Sequence, residues 1–69
     1  MAGHRGVASM EAEISYYRRR AAEETRAAAA SLDAHVRRIH LELGRQYDQR
    51  VAGLETELRR AQMHVVDAA

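Results

Sequence analysis

AAAASLDAHV, residues 27–36, decides whether this chain is a rod or a hairpin. Four consecutive alanines favour helix, and neither proline nor glycine interrupts them. Ser31 and Asp33, however, carry short polar side chains that compete with helical hydrogen bonds and prefer caps. Either one helix passes straight through, or the chain turns at Ser31-Leu32-Asp33 and begins a second helix.

Both flanks carry a helical stripe. Upstream, Met10, Ile14, Tyr17, Ala21, Glu24 and Ala28 step by alternating four and three, the spacing of a coiled-coil seam. Glu24 is the one member out of character. Downstream, Leu32, Val36, Ile39, Leu43, Tyr47, Val51, Leu54, Leu58, Ala61 and Val65 follow at steps of three or four. Val36, Tyr47 and Leu58 recur every 11 residues, which favours nearly straight helix association. Strand alternation is absent, and so are Gly-Asn and Asp-Gly turns.

Projected at about 100° per residue, the two stripes join through Ala28, Leu32 and Val36 without a phase jump, which favours continuity. Against it, one helix over residues 9–66 would run roughly 87 Å, far longer than globular helices usually are. The upstream stripe is also mostly small residues and the downstream one bulky, as suits two helices laid antiparallel. The balance predicts an all-α helical hairpin, with helices near 9–30 and 33–66 and a turn near 30–33. The alternative is one continuous coiled-coil helix.

Residues 1–8 hold two glycines and no periodicity and read as a flexible arm, and residues 67–69 as a frayed tail. Ser9 is the expected N-cap of the first helix, with Glu11 and Glu13 in its first turn. Gly44 and Gly53 lie inside the downstream stripe, each costing roughly 1 kcal/mol relative to alanine. Either permits a close helix approach, and Gly44 is an alternative stop. Because the stripe continues past both, the helix reads as intact.

Composition bounds the function. Sixty-nine residues make one small domain at most, and with no cysteine neither disulfides nor thiolate metal sites are available. Of the 32 hydrophobic residues 14 are alanine, so the apolar content is thin for a monomer and self-association is expected. Eleven arginines, no lysine and ten acids give a net charge of +1, unlike the basic excess of a dedicated nucleic-acid binder. No apolar run approaches the roughly 20 residues of a membrane span, and the first ten residues lack a signal-peptide core. The sequence reads as a soluble, cytoplasmic protein without membrane association.

YYRRR, residues 16–20, offers arginines for phosphate and tyrosines for base stacking. Successive helical positions diverge by about 100°, so these arginines do not converge. Arg19–Glu23, Arg20–Glu24 and Glu23–Arg26 read as ordinary solvated pairs, as do Asp33–Arg37, Glu55–Arg59, Glu42–Arg45 and Glu57–Arg60. His35 and His40 stand about 140° apart around a helix and do not share a metal as an i, i+4 pair does. His35 lies near the seam, and His64 or a second subunit is the source of any further ligand across a hairpin, so a pH- or metal-responsive regulator using His35, His40 and His64 is a third reading. No nucleophile motif or glycine-rich phosphate loop occurs, so no enzyme, no cofactor and no metal are expected.

EISYYRRRAAEE followed by RRIHLELGRQYDQRV, within residues 13–51, resembles short uncharacterised helical proteins of alphaproteobacteria. That resemblance implies a bacterial helical protein and carries no catalytic or binding residue with it. In size and helix content the chain is also similar in architecture to Rop, a plasmid RNA-binding hairpin that dimerises into a four-helix bundle, though no motif matches.

The sequence thus predicts a hairpin self-associating into an antiparallel bundle, with a homodimer favoured. Its expected work is that of a small scaffold or adaptor binding itself and another protein of unknown identity. The expected association face is Ile14, Tyr17, Val36, Ile39, Leu43, Tyr47, Val51, Leu54 and Leu58. The alternative is a nucleic-acid-binding bundle using Arg18, Arg19, Arg37 and Arg38.

Overall fold

The computed structural model describes the backbone of residues 6–68 and the side chains of residues 6–63. It is a hairpin of two helices, α1 (Val7–Ala30) and α2 (Ala34–Ala68), measuring 55 × 22 × 13 Å. The continuous rod is thereby excluded.

The turn works as the polar residues of Ser31-Leu32-Asp33 suggest. Ser31 leaves the helix with extended backbone while its N–H donates to the Ala28 carbonyl at 3.2 Å. Its hydroxyl accepts from the Asp33 N–H at 3.3 Å. Asp33 Oδ1 then accepts from the N–H groups of His35 and Val36, at 2.8 and 3.1 Å. Those are two of the donors that the start of α2 would leave without partners, so Asp33 is its N-cap. Arg37 closes the turn by donating from Nη2 to the Ser31 carbonyl at 3.2 Å. Removing the cap by Asp33→Ala is expected to cost about 1 kcal/mol. A thermal melt followed by circular dichroism should show Tm lowered by roughly 4–8 °C.

The N-terminal boundary differs from expectation. Gly6, not Ser9, takes the N-cap position, without a side-chain cap, and its carbonyl accepts from the Met10 N–H at 3.1 Å. Glycine is tolerated there, which leaves Ser9 inside the first turn and Val7 and Ala8 in the helix rather than in an arm. Residues 1–5 lie outside the described residues. At the other end α2 runs through Asp67 to Ala68, past the expected fraying point.

In α1 the seam is the expected one: Met10, Ile14, Ala21, Glu24 and Ala28 are all buried, and Tyr17 is half-buried. In α2 it is not. The residues that meet α1 are His40, Gly44, Tyr47, Val51, Leu54 and Leu58. Leu32, Val36 and Ile39 are exposed instead, Leu32 at 98% and Ile39 at 46%. For Ile39 the cause is geometric. From Ile39 through Leu43 and Tyr47 to Val51 the stripe takes three successive steps of four. Each step overshoots a full turn by about 40°, so Val51 lies about 120° around the helix from Ile39. Val36 shares the angular position of Leu54, about five turns on, and stays 39% exposed because near the turn α1 presents only Ala21, Glu24 and Ala28.

The two halves of the hairpin are therefore unlike. Near the open end Ile14, Val51 and Leu54 form the core, with Tyr17 and Leu58 packed against it. Near the turn α1 supplies Ala21, Glu24 and Ala28, which face His40 and Gly44. Tyr17 stacks on Tyr47 between these halves, with ring centroids 5.8 Å apart. At this register Val7 comes level with the stretch around Glu57 and Leu58, so about ten residues of α2 run on beyond α1.

Neither interior glycine is demanded by close packing. A Cβ on Gly44 would meet Glu24 Cβ at 3.6 Å, an ordinary contact, and one on Gly53 would meet nothing within 4 Å. Gly53→Ala is expected to stabilise the hairpin by about 1 kcal/mol through helix propensity alone, read as a raised Tm.

Candidate functional site

Two features stand out, one inside the seam and one outside it. Inside, Glu24 is only 7% exposed, a carboxylate among alanines. His40 Nδ1 lies 2.6 Å from Glu24 Oε1, and Arg20 Nη2 donates to Oε2 at 3.0 Å. Burial alone would raise the carboxyl's pKa, but the His40 hydrogen bond and the charges of His40 and Arg20 hold it below its ordinary value of 4.5. Arg20 also pairs with Glu23 and lies over the Tyr47 ring, 5.3 Å from its centroid. The Glu23 hydrogen bond is the chief reason its guanidinium is held above its usual pKa.

A carboxyl with a depressed folded pKa contributes stability that is fully present above about 4.5 and lost as pH falls through the depressed value. Tm of the hairpin is thus expected to drop on acidification below that point. In Glu24→Gln the drop should be shallower, leaving the part due to Glu42, whose carboxyl is held low by Arg45 and then Gln46. Melts from about pH 6 to pH 2 on both chains would check this; parallel profiles would contradict it.

The sequence marked Glu24 as anomalous and treated its pair with Arg20 as solvated. The missing partner was His40, which falls on the four-three row His40, Gly44, Tyr47, Val51, Leu54 and Leu58. His35, expected near the seam, lies on the outer side of α2. Among the described residues no group of three or more His, Cys, Asp or Glu stands together as a metal site. The side chain of His64 lies outside the described residues.

Outside the seam, Val36, Ile39 and Leu43 form a row of one valine, one isoleucine and one leucine along α2, preceded by Leu32 in the turn. Beside the row runs an open groove of about 420 Å³ lined by His35, Arg38, Ile39, Glu42 and Leu43. Ile39 stays half exposed, and Leu32 is almost fully exposed. Leu32 also lacks the usual local employment of an apolar residue preceding an N-cap, because the residue it would staple to is Arg37.

The nine residues expected on one association face are thus divided by the fold. Ile14, Tyr17, Tyr47, Val51, Leu54 and Leu58 meet inside the hairpin, whereas Val36 and Ile39 stay exposed and Leu43 is half-buried at the edge of the groove. The arginines are likewise dispersed. Arg18 pairs with Glu55 across the hairpin, and Arg19 lies 5.5 Å from the centroid of the Tyr16 ring. Arg37 is engaged in the turn and Arg38 lines the groove, more than about 10 Å along the axis from the level of Arg18 and Arg19. Among the described residues no helix is long and apolar enough to cross a membrane. No family model matches the sequence, and no curated protein or solved structure is similar to it.

Proposed function

We propose that this chain is a non-enzymatic interaction module, a small cytoplasmic scaffold or adaptor that acts by helix–helix association with itself and with a further protein. The observation that carries this reading is the row Val36, Ile39 and Leu43 on α2, of which Val36 and Ile39 stay 39% and 46% exposed and Leu43 is half-buried. A chain so short cannot leave its bulkiest residues idle without cost. Fully burying each is worth roughly 1.5–3 kcal/mol, against a core cluster of three buried side chains, Ile14, Val51 and Leu54, near the open end. Contiguous exposed apolar rows mark association surfaces.

The dispersal of the arginines supports protein over nucleic acid as the partner, because phosphate recognition needs cations that converge. Sedimentation equilibrium from about 10 μM to about 1 mM tests the reading. A mass rising from 7.8 kDa toward twice that value is expected; a constant monomer mass overturns it.

A further inference from the structure

We infer that two copies of this chain join tip to tip, with the turn-proximal segments of their α2 helices packed antiparallel about a two-fold axis near Val36–Ile39. This rests on the self-association reading above and specifies its partner and register. The apolar row sets the extent of the contact. Leu32, Val36, Ile39 and Leu43 are followed at the same angular position by Gln46 and Arg50, so only the segment next to the turn offers apolar surface.

A parallel pairing in register would oppose Arg50 to the partner's Arg50, like charges across a contact. A full-length antiparallel overlap would lay the row against the stretch beyond Arg60, where the residue on the row's own face is Ala61, too small to fill it. The short antiparallel overlap has neither fault. It sets Val36 against the partner's Ile39 and Leu32 against the partner's Leu43, each layer occurring twice by symmetry.

Charge fits the same register. Glu42 stands beside the row, and the hydrogen bonds from Arg45 and Gln46 that lower its pKa favour its ionised form. Arg38 and His35 stand on the same side of the groove, about one turn and two turns nearer the tip. Reversal of the partner's helix brings Glu42 to the partner's His35 and Arg38, and the reverse pair forms at the symmetric position. The patch is self-complementary. Its overlap is about three turns of helix, roughly 18 Å, which places it at the weak end of specific interfaces, with dissociation in the micromolar range.

The absence of cysteine from the sequence allows a direct test. In the proposed register Leu43 lies roughly 16 Å along the axis from the partner's Leu43, and Leu32 equally far from the partner's Leu32, both beyond the ~7 Å that a disulfide spans. Leu32 and the partner's Leu43 are in contact. Oxidised separately, Leu32→Cys and Leu43→Cys should stay uncrosslinked; an equimolar mixture should give covalent heterodimer at least about tenfold above either alone. Sedimentation of the wild-type chain is run alongside. If the wild type associates but either variant crosslinks with itself, or the mixture does not crosslink, the tip-to-tip register is overturned while self-association stands. If the wild type stays monomeric through about 1 mM, both fail.

Discussion

Leu54→Ala is expected to destabilise the hairpin by about 3 kcal/mol, lowering Tm by roughly 15–20 °C. Leu54 is 2% exposed and packs with Ile14 and Val51 in the core at the open end. Truncation removes its buried methyl groups and leaves a gap that the two helices close only in part. Tyr17 and Leu58 only flank the cluster, so its centre rests on Ile14, Val51 and Leu54. A domain of this size has roughly 3–10 kcal/mol of stability in all, so the change consumes a large share of it. Far-UV circular dichroism on melting is the measurement. Met63→Ala, at a position 62% exposed, serves as the control and should shift Tm by only a few degrees. Equal effects at the two positions would show that the core does not lie where Leu54 places it.

Ile39→Asp should do the opposite: leave the fold nearly intact and abolish association. Ile39 is 46% exposed and contacts no residue of the core cluster, so the cost within the hairpin is limited to a few tenths of a kcal/mol in helix propensity. In a two-fold dimer, however, the residue occurs twice, and each copy would forfeit apolar burial worth roughly 1.5 kcal/mol or more. Together that is about 3 kcal/mol, or about a hundredfold weaker dissociation constant. The buried carboxylate would add to the loss. Sedimentation equilibrium gives the constant and circular dichroism the fold. A variant that unfolds would place Ile39 in the core, and one that dimerises as before would remove the row from the interface.

The contrast between these two positions shows where the sequence was informative. Spacing alone located all of the α1 seam, because Met10 to Ala28 alternates strictly between four and three and so holds one direction. The turn was legible from Ser31 and Asp33, whose side chains now satisfy the backbone donors of Asp33, His35 and Val36. The α2 face was not, because spacing along one helix does not say what its partner offers at each level. Leu54 and Ile39 belong to one unbroken list and stand only about 60° apart around the helix. Leu54 meets Ile14 at the open end, whereas near the turn α1 presents only Ala21, Glu24 and Ala28.

The seam cluster was half legible. Glu24 stood on the stripe, and Arg20 was visible at i−4, but a carboxylate needs a further donor to be buried comfortably. That donor, His40, comes from 16 positions away through the antiparallel register, which no local pattern encodes. The polar turn-side seam and the exposed apolar row are linked: where α1 offers only Ala21, Glu24 and Ala28, α2 turns Gly44 and His40 inward and its bulky side chains out.

Small-angle X-ray scattering at high protein concentration, read for mass and maximum dimension together, tests the whole account most directly. A single hairpin is 55 Å long. Two hairpins overlapping by about three turns at their tips should give twice the mass of 7.8 kDa and a dimension of about 90 Å. Dimer mass at about 55 Å would mean side-by-side packing and contradict the tip-to-tip register. Monomer mass at about 55 Å would leave the α2 row without a second copy, and monomer mass at about 90 Å would contradict the hairpin itself.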